Sequence, residues 1–195
     1  MPKVKVCYID DDCDTYLSSY LSGLEEFDYS EIYVDINDTF ETILSKIENT
    51  KCQIAILDSK LYKDHNVKQK ITGQELELLL AERYPYIFTV IISQNEDVAK
   101  LNYFEKYKSS PLVDNSKKSK EHYDKNLKMI LDFAKNKISR AHICYDQELS
   151  KDGSIDKMTL ENIESLLSGN ERVNLTKKDI DDIVELLGKL KEYED

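Results

Sequence analysis

Three carboxylates that follow two short apolar runs are the residues of this sequence best placed to do chemistry. Asp58 ends the run over residues 52–58, and Asp10 and Asp11 follow the run over residues 4–9. Apolar runs in which apolar and polar residues do not alternate indicate strands that are buried on both faces, as in a parallel sheet. Because ligands bind beyond the carboxyl ends of such strands, we expect the three acids to share one binding edge if the two strands are neighbours.

Such a group of acids predicts a divalent metal site. Two carboxylates about 5 Å apart repel each other by about 3 kcal/mol at an effective dielectric constant of about 20, so three of them need a cation or a proton. Mg²⁺ prefers oxygen ligands, binds through a few carboxylates and keeps several waters. A magnesium site with one carboxylate free to attack is what phosphoryl transfer to an aspartate requires. The alternative for Asp58 taken alone is a turn or a helix cap.

The elements that must position these acids alternate between strands and helices. Apolar patterning predicts strands over residues 4–9, 31–36, 52–58, 86–92 and 102–107. Helical spacing and capping residues predict helices over residues 14–26, 39–48, 73–84 and 120–141, with a short one over residues 97–101. This alternation predicts an α/β fold with a five-stranded, parallel, doubly wound (flavodoxin-like) sheet.

Short motifs recur at the strand ends and at the start of the third helix. In chain order they are Ile-Asp-Asp-Asp at 9–12, Leu-Asp at 57–58, Gly-Gln-Glu-Leu-Glu-Leu-Leu at 73–79, Ser93, and Tyr-Phe-Glu-Lys at 103–106. Together they resemble the receiver domain of two-component response regulators, over roughly residues 3–140. The resemblance implies that Asp58 accepts a phosphoryl group and that Mg²⁺ is held by Asp10, Asp11, Asp58 and the backbone carbonyl of Lys60.

The same resemblance implies roles for residues near the fourth and fifth strands. Ser93 matches the hydroxyl that contacts the phosphoryl oxygen, Tyr103 the aromatic switch and Lys106 the lysine that pairs with the phosphate. Only 12 residues separate Ser93 from Lys106, which predicts a shortened fourth helix. Lys108 and Lys117 are the alternatives to Lys106 if the fifth strand is placed wrongly. Residues 63–72 are interpreted as an insertion beside the site.

The residues after 141 have a different pattern, which predicts a C-terminal α-helical hairpin. The last 50 residues hold 14 acidic and 7 basic side chains, a net charge of -7. We therefore divide the chain into a receiver-like domain over residues 1–141 and an acidic helical extension over residues 142–195. An acidic surface suits a protein partner better than nucleic acid, so the extension is expected to contact a protein effector, and a homodimer is compatible with it.

Together with the acids at the strand ends, the resemblance implies a phosphoacceptor response regulator in two-component signal transduction. It is expected not to be an enzyme beyond Mg²⁺-dependent self-phosphorylation and self-dephosphorylation, and the implied donor is a sensor histidine kinase or a phosphotransfer protein. A net charge of -11 argues against nucleic acid as a partner. No apolar stretch approaches the roughly 20 residues of a membrane helix. The four scattered cysteines are typical of a reducing compartment, so we expect a cytoplasmic protein.

Three other interpretations remain open at this point. The first is a degenerate receiver that acts as a phosphorylation-independent binding module. The second is a haloacid-dehalogenase-like phosphatase, because Asp10 and Asp12 have its spacing, although Asp14 stands where its pattern has threonine or valine. The third is a calcium loop over residues 148–159, which has Gly153 at its sixth position but Thr159 in place of the bidentate glutamate.

Overall fold

The computed structural model describes residues 3–62, 70–94 and 103–149, together with Leu160, Glu161, Ile163, Glu164 and Leu167. The strands are β1 (Val4–Asp10), β2 (Phe27–Tyr33), β3 (Ile54–Asp58), β4 (Phe88–Ser93) and β5 (Phe104–Glu105). The helices are α1 (Thr15–Ser22), α2 (Phe40–Thr50), α3 (Gly73–Arg83), α4 (Asn115–Asn126) and α5 (Lys128–Leu149). Within these residues, no helix has both the length and the apolar character needed to cross a membrane.

The five strands form one sheet in the order β2-β1-β3-β4-β5, and every neighbouring pair is parallel. Ile9 of β1 lies opposite Leu57 of β3, and Asp58 lies opposite Ile92 of β4. The strand order reverses between β1 and β3, and this reversal opens a crevice at their carboxyl ends. The predicted five-stranded, parallel, flavodoxin-like sheet is therefore confirmed.

Helices cover both faces of the sheet, which is why its central strands are apolar without alternation. On one face, α2 and α3 cover side chains that include Ile9 and Leu57. On the other face, α1, α4 and α5 cover a second cluster that includes Tyr8. Successive side chains of a strand point to opposite faces, so Tyr8 and Asp10 share the face that α1 covers.

Capping residues start the first three helices just beyond the strand ends. Asp14 caps α1 by accepting a hydrogen bond from the backbone nitrogen of Leu17 (2.8 Å). Thr39 caps α2 and Thr72 caps α3, each in a reciprocal capping box. The caps place the helix starts around the edge of the sheet where the acids lie.

Several element boundaries differ from the sequence predictions. β2 begins at Phe27 instead of residue 31 because its pairing with β1 sets Phe27 opposite Val4. β5 spans Phe104–Glu105 instead of residues 102–107. The one helix predicted over residues 120–141 is two helices, and the first starts at residue 115 because Asp114 caps it, accepting from the backbone nitrogen of Lys117 (3.2 Å).

Some predictions fall outside the described residues. They are the short fourth helix over residues 97–101, most of the insertion over residues 63–72, and most of the hairpin beyond residue 149. α5 runs without a break past residue 141. The division into residues 1–141 and 142–195 stays a prediction.

Candidate functional site

The three acids predicted at the strand ends lie together. Asp10 and Asp58 are the last residues of the neighbouring strands β1 and β3, and Asp11 follows Asp10 directly. One carboxylate oxygen from each of the three lies within 4.8 Å of those from the other two. The side chain of Asp10 is 1% exposed and that of Asp58 is 14% exposed. Asp58 is therefore the acid of this pair that a molecule in solution reaches more easily.

Lys106 enters this acidic cluster from the end of β5. Its ammonium nitrogen lies 2.7 Å from Oδ2 of Asp10 and 3.0 Å from Oδ1 of Asp58. Its backbone N–H donates to the carbonyl oxygen of Ser93 (2.8 Å), which fixes where the side chain leaves the sheet. Burial alone would lower the pKa of the ammonium, but the two carboxylates raise it above its ordinary value. Lys106 therefore stays charged and offsets one of the negative charges.

The two alternative lysines lie elsewhere. The ammonium of Lys108 pairs with Oε1 of Glu105 at 3.1 Å, and about half of each of these side chains is exposed. Lys117 is an exposed residue of α4. Of the three lysines that the sequence offered, Lys106 is the one that contacts the acids.

Asp58 is held from two sides and keeps an accessible carboxylate. In addition to the Lys106 contact, its Oδ2 accepts a long hydrogen bond from the backbone nitrogen of Lys60 (3.4 Å). Burial raises the pKa of Asp58 and the charge of Asp10 adds to this, while Lys106 opposes it, and the net change is upward. A carboxylate with few strong donors keeps its lone pairs available for a cation or for attack on an electrophile.

Asp11 gives the strongest indication of a cation site. Its Oδ2 is buried and has no hydrogen-bond partner among the described residues. Burial first, and then the neighbouring Asp10 and Asp58, raise the pKa of Asp11 to about 6. A buried carboxylate oxygen without a donor needs a proton or a metal ion. The three carboxylates are an all-oxygen donor set that fits Mg²⁺.

A glycine at the start of α3 allows this helix to approach the end of β3. A Cβ atom added at Gly73 would overlap the backbone carbonyl oxygen of Asp58. The N–H of Gly73 also donates to the carbonyl oxygen of Ser59 (3.2 Å). The backbone of Asp58 therefore lies between β4, with which it pairs, and the first turn of α3. This packing restricts the position of the Asp58 side chain.

The described ends of the predicted insertion meet beside Asp58. Lys60 and Thr72 form an antiparallel bridge, and the N–H of Leu61 donates to the carbonyl oxygen of Ile71 (3.1 Å). The side chains of Leu61 and Ile71 are buried in the core under α3. The bridge therefore fixes the backbone of Lys60, two residues after Asp58.

Ser93 lies buried at the end of β4, and its hydroxyl is paired with a second serine. The hydroxyl of Ser59 donates to that of Ser93 at 2.9 Å. Ser59 was not predicted from the sequence, although its position directly after Asp58 was the available signal. The pair lies between the ends of β3 and β4, next to the acidic cluster.

Tyr103 precedes β5 and is half-buried against the core cluster under α2 and α3. It lines a cavity of about 270 Å³ together with Ile91 and Phe104. The aromatic ring therefore has open volume beside it, at the edge of the sheet where Ser93 and Lys106 lie.

Tyr8 is a second residue near the acids that was not predicted from the sequence. It is fully buried in β1, and its hydroxyl donates to Oδ2 of Asp10. The signal was its position two residues before Asp10, because a period of two places both side chains on one face of a strand. Ser59 and Tyr8 thus join the residues around the acids.

Comparisons with known proteins give structural similarity only. No protein-family model matches the sequence, and no curated protein sequence matches it. The structure matches response regulators over most of the chain. The RcsB response regulator of Salmonella typhimurium is 14% identical, over 85% of this chain and 88% of that chain, with a TM-score of 0.43. A second RcsB structure is 14% identical, over 88% of this chain and 94% of that chain, with a TM-score of 0.40.

A third solved structure is the two-component transcriptional regulator AraC from Clostridium phytofermentans ISDg. It is 12% identical, over 63% of this chain and 96% of that chain, with a TM-score of 0.36. All three TM-scores are below 0.5, so these similarities carry no argument about function.

Proposed function

We propose that this protein is a receiver-type response regulator in which Asp58 accepts a phosphoryl group from a sensor histidine kinase or a phosphotransfer protein. The observation that carries the proposal is the arrangement around Asp58. Its partly exposed carboxylate has Lys106 at 3.0 Å and carboxylate oxygens of Asp10 and Asp11 within 4.8 Å. A nucleophile, a fixed cation and two further acids at one strand edge are what Mg²⁺-dependent transfer to a carboxylate requires.

In the proposed reaction, an oxygen of Asp58 attacks the phosphorus atom of a phosphohistidine. A phosphorus–oxygen bond forms as the phosphorus–nitrogen bond breaks, and the electron pair leaves with the imidazole nitrogen, which is protonated. Lys106 lies where it can offset negative charge on the transferred oxygens. Bound Mg²⁺, held by Asp10, Asp11, Asp58 and the carbonyl of Lys60, would supply the remaining positive charge. Self-dephosphorylation is the attack of water on the same acyl phosphate.

The signal is proposed to pass through Ser93 and Tyr103. The phosphoryl group on Asp58 attracts the hydroxyl of Ser93, which in the unphosphorylated protein is paired with Ser59. Movement of the end of β4 then changes the space beside Tyr103, whose ring borders a cavity of about 270 Å³. The protein surface around β4 and β5 differs between the two states as a result.

The extension over residues 142–195 is proposed to contact a protein effector. Of its described residues, Leu167 lies at the amino end of β3, the opposite end from Asp58. The side-chain amide of Gln53, just before β3, donates to the carbonyl oxygen of Leu167 (3.2 Å), and Leu167 is 4% exposed. The hydroxyl of Tyr145 in α5 donates to Oε2 of Glu164 (2.9 Å). The Gln53–Leu167 contact supports an extension that is docked on the receiver-like domain, whereas the Tyr145–Glu164 contact lies within the extension.

The proposal is tested by mass spectrometry of the full chain after incubation with acetyl phosphate and Mg²⁺. The expected result is a gain of one phosphoryl group that maps to Asp58 and is lost with EDTA or in Asp58→Asn. Asp28→Asn, a matched change at an exposed acid of β2, should leave the gain unchanged. No metal-dependent gain, with partner binding unaffected by Asp58→Ala, would favour the phosphorylation-independent module. Steady turnover of a generic phosphomonoester would favour the phosphatase.

A further inference from the structure

Tyr8 is a buried residue that contacts the acidic site without being one of its acids. Its side chain is fully buried beneath α1, in the cluster that also contains Leu17 and Tyr123. A phenylalanine would fill nearly the same volume there, so packing alone does not require a hydroxyl. A buried tyrosine hydroxyl needs a hydrogen-bond partner, and this one has two.

The hydroxyl of Tyr8 links the start of α1 to the acidic site. It accepts a hydrogen bond from the backbone nitrogen of Asp14, the N-cap of α1, at 3.3 Å. It donates to Oδ2 of Asp10, which lies two residues along the same strand face. The two bonds form a continuous chain from the helix start to the carboxylate, in which each bond polarises the next.

Tyr8 also contacts the cation of the site. The ammonium of Lys106 lies 5.6 Å from the centroid of the Tyr8 ring, which is within the range of a cation–π contact. The same ammonium donates to Oδ2 of Asp10, the oxygen that the Tyr8 hydroxyl holds. The ring and the hydroxyl of one side chain therefore contact both members of the Lys106–Asp10 pair.

The bonds of Asp10 contrast with those of Asp11. Both oxygens of Asp10 have donors, since Oδ2 faces Tyr8 and Lys106 while Oδ1 accepts from the backbone nitrogen of Asp12 (3.0 Å). Oδ2 of Asp11 has no partner in the described part of the chain. Asp10 is therefore the fixed member of the acidic pair, and its orientation depends on Tyr8.

We propose that Tyr8 is a positioning residue of the phosphoacceptor site. Its hydroxyl orients the Asp10 carboxylate toward the cation site, and its ring keeps the Lys106 ammonium between Asp10 and Asp58. Mutation of a residue that holds a metal-binding carboxylate in this way typically weakens metal binding by about 10- to 100-fold. The inference rests on the proposed function, because it assigns Tyr8 to the metal site proposed there.

The test compares Tyr8→Phe, which keeps the ring, with Tyr20→Phe in the full chain. Tyr20 is a buried tyrosine of the same cluster, and its hydroxyl donates to Asp124 at 3.0 Å, away from the acids. Mg²⁺ dissociation constants come from NMR titration of backbone amides. We expect Tyr8→Phe to weaken binding by about 10-fold or more, with a metal-free unfolding midpoint close to that of the wild type, and Tyr20→Phe to bind as the wild type does.

The Mg²⁺ concentration for half-maximal phosphorylation by acetyl phosphate provides a second measurement. It should rise in Tyr8→Phe, while the rate at saturating Mg²⁺ changes less. Equal Mg²⁺ affinity in Tyr8→Phe and the wild type would overturn the role of Tyr8 and leave the proposed function standing. A weakening in Tyr20→Phe as large as in Tyr8→Phe would also overturn it, because the effect would then be structural. Absence of Mg²⁺ binding by the wild type would overturn the proposed function and this inference together.

Discussion

The ammonium of Lys106 lies 3.0 Å from Oδ1 of Asp58, although the two residues are 48 positions apart and Lys106 follows a strand of only two residues. The contact depends on the backbone bond from Lys106 to Ser93, which joins β5 to β4, and on the pairing of Asp58 with Ile92 of β4. β4 therefore sets the distance between the lysine and the acid.

Lys106→Met should destabilise the metal-free protein strongly at neutral pH. The change leaves Asp10 and Asp58 without their shared cation, and breaking a buried ion pair from one side costs about 3–5 kcal/mol. Chemical denaturation in EDTA measures the free energy of unfolding. The matched control is Lys108→Met, because Lys108 pairs with Glu105 at the surface and such pairs contribute about 0–1 kcal/mol. Equal, small losses in the two variants would contradict the buried role of Lys106.

Asp11 should make the stability of the metal-free protein depend on pH in an unusual direction. Its pKa is raised from 3.8 to about 6 in the folded protein, so between these values the folded state binds more protons than the unfolded state. This group therefore lowers the free energy of unfolding as pH rises through that window. Asp11→Asn should remove this contribution and make the metal-free protein more stable than the wild type at pH 7.

Mg²⁺ should reverse the order of stability, so that the wild type becomes more stable than Asp11→Asn. The wild type gains stability from Mg²⁺ because the ion binds the folded state, and Asp11→Asn should gain much less. The measurement is urea denaturation at pH 5 and pH 7, with EDTA or with Mg²⁺. Asp12→Asn, next to the cluster, is the control and should keep the Mg²⁺ response. A lower stability of Asp11→Asn than of the wild type in EDTA at pH 7 would show that the charged Asp11 carboxylate does not lower the free energy of unfolding.

Gly73→Ala should displace Asp58. The added Cβ would overlap the carbonyl oxygen of Asp58, and relief of such overlap costs about 1–3 kcal/mol. Phosphorylation by acetyl phosphate should fall along with stability because the acid moves. Gly23→Ala is the control, since a Cβ there meets its nearest atoms at 3.4 Å, an ordinary contact. Wild-type activity in Gly73→Ala would mean that α3 does not restrain Asp58.

Leu167→Asp should release the described part of the extension from the receiver-like domain. Leu167 is 4% exposed and borders a cavity with Pro85 and Ile138, so a charge there must leave the apolar surface. Limited proteolysis should then cleave the region after α5 faster than in the wild type. The control is the same Leu→Asp change at Leu112, a leucine that is 91% exposed. Unchanged cleavage in Leu167→Asp would contradict a docked extension.

The acids could be predicted from the sequence because their signals are local. An apolar run that stops at a carboxylate marks a strand end, and parallel strands bring their carboxyl ends to one edge. Asp10 and Asp58 come together only if β1 and β3 are neighbours in the sheet. In the structure these two strands are neighbours. Lys106 was selected over Lys108 through the resemblance, and in the structure Lys106 contacts Asp10 while Lys108 pairs with Glu105.

Other features depend on contacts that no local pattern encodes. The roles of Ser59 and Gly73 follow from how closely α3 and β4 approach the end of β3. The start of α4 at residue 115 was not predicted, because this helix buries few side chains, Ser119 and Tyr123, and so lacks an apolar stripe. Tyr8 was predicted only as a residue of the first strand. A tyrosine in an apolar run does not reveal which groups its hydroxyl will contact in the folded protein.

A crystal structure of the full chain with Mg²⁺ and beryllofluoride tests the central claim most directly. The account predicts beryllium bonded to a carboxylate oxygen of Asp58 and Lys106 in contact with a fluoride. It also predicts a metal ion about 2.0–2.1 Å from its carboxylate oxygens among the three acids. A structure at saturating ligand concentrations with Asp58 unmodified and no metal among Asp10, Asp11 and Asp58 would contradict it.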